Sequence, residues 1–509
     1  MKNVQLVIPM AGSSDMFTDA GYDSPKWLID IDGKPMIQHV VDQFPEVTDI
    51  LFICKEDDVQ DSVKQKLESL GGKVVTIKQS SGGPVDTVLH ASKHISDDKE
   101  IIVSYCDHGM VWDCSSFLEE ARSGNFDGAM TCYSDFHPHM LGTTNLYTFC
   151  LQENKELLEV QDKKPFTEDR KSEFVSSDVF YFKTGSTLKK YFEVAKWSGD
   201  SSMNGFIALV YNLLLEDGLS VCIHEVEKML LWATPEDLDT YNRWSNYFNK
   251  DSADKTPKQD FTVIVPMCGK GSRFVREGYE RPKPLLPIGD SPMFAGVVES
   301  LPNHENDVFI CSEEHHADAL IESYYPKAKI KSIDFVTEGF AESCELGIKL
   351  INEDDPIMIS PCDNGVSYDE DSFLEMMSDE DNDVIFWVTK GSQATRVNPA
   401  MYTWVYVDEK DTVKDMVYKK KPDSDLKTTP VSIGIMYFRK AKYLLEGLKK
   451  NREQNMRPTG ELCMDSVAHQ LAMSDYKVKV FEVDHYACWG TPDDYRTDRF
   501  WREYFRNAT

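Results

Sequence analysis

The chain repeats itself, and that constrains its folding more than any other feature of the sequence. VIPMAGSSDMFTDAGYDSPKWLIDIDGKPMI near the start is answered past the middle by VIVPMCGKGSRFVREGYERPKPLLPIGDSPMF. Lys26 and Lys283 are 257 residues apart, as are Gly21 and Gly278, and Trp232 and Trp489. Asp107 in SYCDHG and Asp363 in SPCDNG are 256 apart. A register that drifts by one residue across most of each half identifies a tandem duplication. A length of 509 residues suits two domains of about 250 each. The polar run FNKDSADKTPKQD lies between the copies. The expected division is a first domain over 1–250, a linker over 251–260 and a second domain over 261–509.

Within each copy, short β-rich runs alternate with amphipathic helical stretches. Leu6–Met10, Ile50–Cys54 and Ile101–Cys106 read as strands in the first copy, and Thr262–Met267, Val308–Cys311 and Pro356–Pro361 in the second. Strands separated by helix-length segments predict an α/β fold, with a mainly parallel mixed sheet and helices on both faces. Ligands of such sheets bind beyond the carboxyl ends of the strands, so the residues just after each strand are the ones that matter.

Acidic residues outnumber basic ones by 86 to 55, a net charge of −31 spread along the whole chain. Such a surface repels phosphate backbones and anionic lipid heads, which argues against nucleic-acid and membrane partners. An anionic small substrate stays admissible where Lys and Arg are concentrated in a cleft. The opening MKNVQLVIPMAG reads as a buried strand rather than a signal sequence, and no stretch approaches the roughly 20 apolar residues of a membrane span. The 12 cysteines are scattered singly, and Cys54, Cys106, Cys132, Cys311 and Cys362 sit in apolar strand patterns. Reduced, buried thiols in a cytoplasmic protein are expected.

The residues that could carry chemistry are concentrated in the second copy. After its first strand comes Cys268-Gly269-Lys270-Gly271-Ser272-Arg273. Two glycines let the backbone turn sharply and bring N–H groups to an anion, and Arg273 adds a fork of donors. Ten residues on, Lys283 follows Pro282 and precedes an apolar run. Asp363 follows Ile357-Met358-Ile359-Ser360 and so projects at the carboxyl edge of the sheet, where a carboxylate suits Mg²⁺. Lys419-Lys420-Lys421-Pro422 is a cationic cluster in an acidic chain. Thr491-Pro492-Asp493-Asp494 has a structural account as a helix start, with a Thr cap, Pro in the first turn and acids at the positive end. Trp501 and Phe505 read as core.

The glycine loop, its Arg, and a Pro-Lys ahead of an apolar strand resemble the opening signature of the nucleotidyltransferases that join a nucleoside triphosphate to a sugar phosphate or similar acceptor. Gly278-Tyr279 before the Pro-Lys, with WGTPDDY near the end, resembles the branch that makes capsule and surface-polymer precursors. The resemblance covers nearly all of residues 261–509 and, with losses, 3–248. It implies two tandem Rossmann-like domains of the GT-A type. It implies that Cys268 to Arg273 hold the triphosphate and that Lys283 contacts phosphate oxygens in the transition state. It further implies that Asp363 binds Mg²⁺ and that Lys421 holds the acceptor's phosphate, with Glu461 a further acceptor candidate. Glu338, Gly339, Glu342 and Ser343 fall where the family reads the nucleobase. Many members carry a second metal carboxylate where this chain has Cys488, which leaves Asp484 as a substitute candidate.

The first copy has Ser14 against Gly271, Met16 against Arg273, Asp178 against Gly434 and Phe206 against Glu461. It keeps Gly12, Lys26, Asp107 and Lys164, enough for a residual anion site. Met cannot pair with a phosphate, and Ser14 is penalised if its position needs positive φ. The expectation is a nucleotidyltransferase working through its second domain beside a degenerate first. One rival is a glycosyltransferase of similar fold, against which CDNG and CDHG lack the usual Asp-x-Asp. The other is a non-catalytic nucleotide-binding pair.

Overall fold

A computed structural model describes residues 3–78, 82–142, 146–198, 201–250, 257–458 and 460–507. The chain forms two compact units, Met1–Asn242 and Arg243–Thr509. The division falls inside the helix Pro235–Asn249, ahead of the expected linker. Of that linker, residues 251–256 lie outside the described residues. Gln259 and Asp260 are not linker but strand, because Gln259 already pairs with His304.

In the first unit the strands are β1 Val4–Met10, β2 Asp49–Lys55, β3 Gly72–Ile77, β4 Glu100–Ser104, β5 His108–Val111 and β6 Gly128–Tyr133, followed by β7 Thr148–Glu153, β8 Glu156–Asp162, β9 Phe174–Phe182, β10 Val221–Glu225 and β11 Lys228–Leu231. The main sheet runs β3-β2-β1-β4-β9-β6-β10-β8-β7. β1 to β4 pair in parallel, whereas β9 is antiparallel to both β4 and β6. The sheet is therefore parallel on one side and mixed on the other, less parallel than the sequence pattern predicts. Successive side chains of β1 point to opposite faces, so Leu6 and Ile8 enter one apolar cluster and Val7 the other. Both faces are thus buried, as the continuous apolar run requires.

The second unit repeats the plan with β12 Gln259–Met267, β13 His304–Ser312, β14 Lys329–Ile333, β15 Ile357–Ile359, β16 Asn364–Ser367 and β17 Val384–Thr389, then β18 Thr403–Val407, β19 Val413–Tyr418, β20 Val431–Phe438, β21 Val478–Glu482 and β22 His485–Cys488. Its order is β14-β13-β12-β15-β20-β17-β21, with β18 joined to β19 and β20. Ile264 and Val265, neighbours on β12, again serve opposite clusters. In each unit a two-stranded ladder, β5–β11 or β16–β22, crosses beside the main sheet. β4 and β15 stop short of the expected Cys106 and Pro361, and the released residues form the loops that carry Asp107 and Asp363.

All twelve cysteines are free, and Cys54, Cys106, Cys132 and Cys311 are buried as expected while Cys362 is half-buried. Among the described residues, no helix is long and apolar enough to cross a membrane. Trp501 and Phe505 are buried, and Trp501 stacks on Trp244 and Phe505.

Candidate active site

In the second unit β12 ends at Met267, and the loop 268–271 leads into a short helix, Ser272–Arg276. Gly271 caps that helix with φ 57°, in the left-handed region. A Cβ on Gly271 would stand 3.1 Å from the Lys283 Cβ, so glycine is required both by the backbone and by the lysine packed beneath it. Gly269, Lys270, Ser272 and Arg273 are exposed, and Arg273 Nη1 is 3.5 Å from the Gly490 carbonyl. The Cys268 thiol is turned away, 3.1 Å from the Ile310 carbonyl, which leaves its backbone to the loop.

Lys283 donates to Asp363 Oδ2, and both side chains are largely shielded, 17% and 25% exposed. Burial pulls the ammonium's pKa down, but Asp363 and the nearby Cys362 and Cys488 outweigh it and the net shift is upward. Lys283 is therefore held charged. Asp363 is fixed from behind: its carbonyl accepts the Trp489 N–H at 2.8 Å, and Asn364 next to it donates its side-chain amide to the Ile433 carbonyl at 2.8 Å. That bond ties the loop to β20, where Gly434 sits at φ 80° and a Cβ would come 2.6 Å from Pro361 Cγ.

The segments TEGFAES and PTGELCMD, far apart in sequence, meet here. Leu462 N–H donates to the Glu338 carbonyl at 3.0 Å and Ala341 N–H to the Leu462 carbonyl at 3.1 Å. Gly339, with φ 150°, lies so close that a Cβ would fall 2.5 Å from the Leu462 carbonyl oxygen. Glu342 accepts the Glu338 N–H at 2.5 Å, and Glu338 accepts from Arg457 at 2.8 Å. Ser343 is buried, with its hydroxyl 2.8 Å from that of Thr337, a contact that braces the loop.

Glu461 and Lys421 are exposed. Asp465, which the sequence reading passed over, is half-buried at the end of PTGELCMD and accepts from Ser432 Oγ at 2.7 Å. Burial raises the Asp465 pKa, against the pull of Thr403, Ser432 and the Lys419 charge. Lys419 is thus a lysine whose charge reaches Asp465. An Asp in the otherwise apolar run LCMDSVAHQL was the signal available for it.

Cys488 stands 3.5 Å from Asp494 Oδ2 and accepts the Gly490 N–H at 3.4 Å. Burial, with Asp494 and Asp363 nearby, pushes its thiol pKa far up, so it is a neutral thiol and a poor partner for a hard cation. Asp494 is committed to its helix start, accepting from Thr491 Oγ1 at 2.6 Å. Asp484 stands apart from Cys488. The ladder sets Asn364 against Cys488 and Ser367 against His485, which puts Asp484 beyond the far end, about 13 Å along the strand from Cys488. Its carboxylate is 3.8 Å from Lys250 instead. Among the described residues, no three His, Cys, Asp or Glu side chains form a group fit to hold a metal.

The first unit rebuilds part of this arrangement. Lys26 Nζ is 2.6 Å from Asp107 Oδ2, and the Trp232 N–H donates to the Asp107 carbonyl at 3.0 Å. Ser14 departs from expectation: its φ is −105°, and its hydroxyl accepts the Lys26 N–H at 3.2 Å. The loop has been refolded around the serine, so no left-handed strain arises. Asp178 does take the left-handed conformation, φ 67°. Burial and the Asp107 charge push its carboxyl up to about 8, against a smaller pull from Lys26. Gly12 and Lys164 are exposed.

Residues 6–172 match the MobA-like NTP transferase domain family, and residues 263–497 match the nucleotidyl transferase family. Both halves are nucleotidyltransferase domains. The chain belongs to the nucleotidyltransferases as a tandem pair. No curated protein matches it. Among solved structures, a nucleoside-diphosphate-sugar pyrophosphorylase from Vibrio cholerae RC9 is 20% identical, with TM-score 0.37, covering 47% of this chain and 99% of its own. A putative glucose-1-phosphate thymidylyltransferase from Bacillus anthracis is 17% identical, TM-score 0.40, covering 50% and 98%. The inositol-1-phosphate CTP transferase from T. maritima is 14% identical, TM-score 0.37, covering 47% and 94%.

Proposed function

We infer that the second domain transfers a nucleotidyl group from a nucleoside triphosphate to a phosphorylated small acceptor. A phosphate oxygen of the acceptor attacks the α-phosphorus, the bond to the bridging oxygen breaks, and pyrophosphate leaves. The observation that carries this reading is the meeting of Lys283, Asp363 and the Gly271 loop at one sheet edge. Little covalent work falls to the protein in such a reaction, since positioning and charge neutralisation supply most of the acceleration.

The exposed N–H groups and cations of the Gly269–Arg273 loop suit the triphosphate. Lys283, held charged, suits the oxygens on which negative charge builds up. Glu338, Gly339 and Glu342 form the wall for the base, and Lys421, Glu461, Lys419 and Asp465 the wall for the acceptor. Asp363 fits a hard divalent cation such as Mg²⁺, which needs only one or two carboxylates when phosphates and waters complete its shell. The bare Cα of Gly490 leaves room beside Asp363 Oδ2, where a Cβ would stand at 3.5 Å. Bound there, the cation would neutralise phosphate charge. The form of the opening motif supports precursors of surface polymers as the product class.

The test is pyrophosphate release from each common nucleoside triphosphate, with Mg²⁺ and a panel of phosphorylated sugars, alcohols and amino-acid derivatives. Turnover with at least one pair, abolished by Lys283→Ala, is expected. No release from any pair by folded protein removes the reading.

A further inference from the structure

The first domain encloses a cleft of about 790 Å³ beyond the carboxyl ends of its strands, a volume that suits a small molecule. The repeat register shows how its wall differs from that of the second domain. Ser13 and Ser24 line it where the second domain has Lys270 and Arg281, and Met16, next to the lining residue Asp15, stands where it has Arg273. Asp15 and Asp58 stand where it has Ser272 and His315, and Lys55 where it has Ser312. The lining residues of the first cleft carry four carboxylates, Asp15, Asp23, Asp58 and Asp107, against two lysines, Lys26 and Lys55.

The two lysines that line the cleft, Lys26 kept and Lys55 gained, already face carboxylates. Lys26 is 2.6 Å from Asp107 and Lys55 is 3.9 Å from Asp57. Asp15, Asp23 and Asp58 line the cleft and form no ion pair among the described residues. Asp58 lies within reach of the Lys55 charge, yet carboxylates still outnumber lysines on the wall, so a triphosphate would meet repulsion here and an ammonium attraction.

The wall has also gained an aromatic ring. Phe206 lines the cleft where the second domain has the carboxylate Glu461, and Tyr22 and Tyr105 line it as well. An ammonium already rests on that ring: Lys163 Nζ is 5.1 Å from the Phe206 centroid, within cation–π range. A ring whose face takes an ammonium, in a cleft lined by more carboxylates than lysines, has the chemistry of an amine site.

We propose that the first domain's cleft binds a small organic amine, a molecule that carries an ammonium group and no phosphate. The cleft is then a ligand site of its own, separate in specificity from the second domain's and independent of whether that domain turns over.

The experiment is calorimetric titration of the full-length protein with choline and with glucosamine, each beside its uncharged counterpart, 3,3-dimethylbutan-1-ol and glucose. Both amines are expected to bind at least about tenfold more tightly than the counterparts, with an affinity that falls as salt is raised. Asp15→Ser and Asp58→Ser, made separately, should each weaken amine binding several-fold. The pair Ser13→Lys with Met16→Arg, which returns the second domain's residues, should do the same. Ser13, Asp15 and Met16 are exposed, so these variants should melt like wild type, and the melts are to be recorded. Equal affinity for amine and uncharged counterpart overturns the proposal, as does amine binding that every one of these variants leaves unchanged. It is overturned equally if a nucleoside triphosphate binds to Lys283→Ala protein and that binding is lost on adding Lys26→Ala.

Discussion

Gly271 and Lys283, twelve residues apart, are packed so closely that a methyl group on the glycine would stand 3.1 Å from the lysine's Cβ. The glycine of the phosphate loop and the lysine behind it are thus one steric unit. Gly271→Ala should cost about 1–2 kcal/mol for the left-handed backbone alone. It should lower the melting temperature of the second domain by a few degrees and displace Lys283. Thermal melts and pyrophosphate release, measured on the same preparation, check both parts. A variant that is fully active and as stable as wild type would refute the coupling.

Lys283 and Asp363 are partners before they are anything else. Lys283→Ala and Asp363→Ala should each lower turnover at least about a hundredfold. Each should also destabilise the domain, because truncating one member of a shielded pair strands the other. The double variant should recover part of the stability and none of the activity. Denaturant titrations of the three variants form the cycle that checks this. Additive losses in stability would show that the pair is not coupled.

His485 gives the second domain an acid-sensitive point. Its ring is buried, with its centroid 4.4 Å from that of Trp244 and 4.9 Å from that of Tyr247, and burial with the Arg243 charge lowers its pKa to about 3. An unfolded histidine titrates near 6.5, so between the two values the folded domain binds fewer protons than the unfolded chain. Stability from this residue is complete above about pH 6.5 and drains away as the pH falls towards 3. The melting temperature should drop between about pH 7 and pH 4, and drop less in His485→Phe. Equal drops would remove His485 from the account.

Asp178 acts in the opposite sense in the first domain. Its folded value of about 8 exceeds the ordinary carboxylate value of about 4. The folded domain therefore holds a proton that the unfolded chain has released, and the contribution, complete at low pH, is lost as the pH rises towards 8. Asp178→Asn keeps a side chain that tolerates left-handed backbone. It should raise the first domain's melting temperature near pH 8 and leave it unchanged near pH 4. A gain of the same size at both ends would point to a cause other than protonation.

The duplication, the strand-end position of Asp363 and the glycine loop with its lysine were legible because each depends on spacing along the chain, and the repeat printed that spacing twice. Contacts across the fold were not. That Lys283 pairs with Asp363 and that TEGFAES closes on PTGELCMD are facts of sheet order. Ser343 and Asp484 read as site residues by position, and neither the burial of the first nor the place of the second beyond the end of a ladder could be read from spacing. Ser14 shows the limit most clearly. Its identity suggested strain, but a loop can refold to φ −105° and give the hydroxyl a use. Strand ends were drawn too long wherever an apolar pattern ran on into a site loop, since periodicity does not mark where pairing stops.

The two losses in the first domain differ in how they could be undone. At Ser14 the backbone has left the shape that the second domain's glycine adopts. At Asp178 it has not, for the aspartate keeps the left-handed turn of Gly434. Aspartate and glycine codons are one base apart. A single transition would therefore return glycine to a main chain already shaped to receive it, whereas the same exchange at position 14 would meet a main chain of another shape. Drift at Asp178 is a door left unlocked; drift at Ser14 has changed the frame. In a population of such genes, reversion should accumulate at the first position and stall at the second.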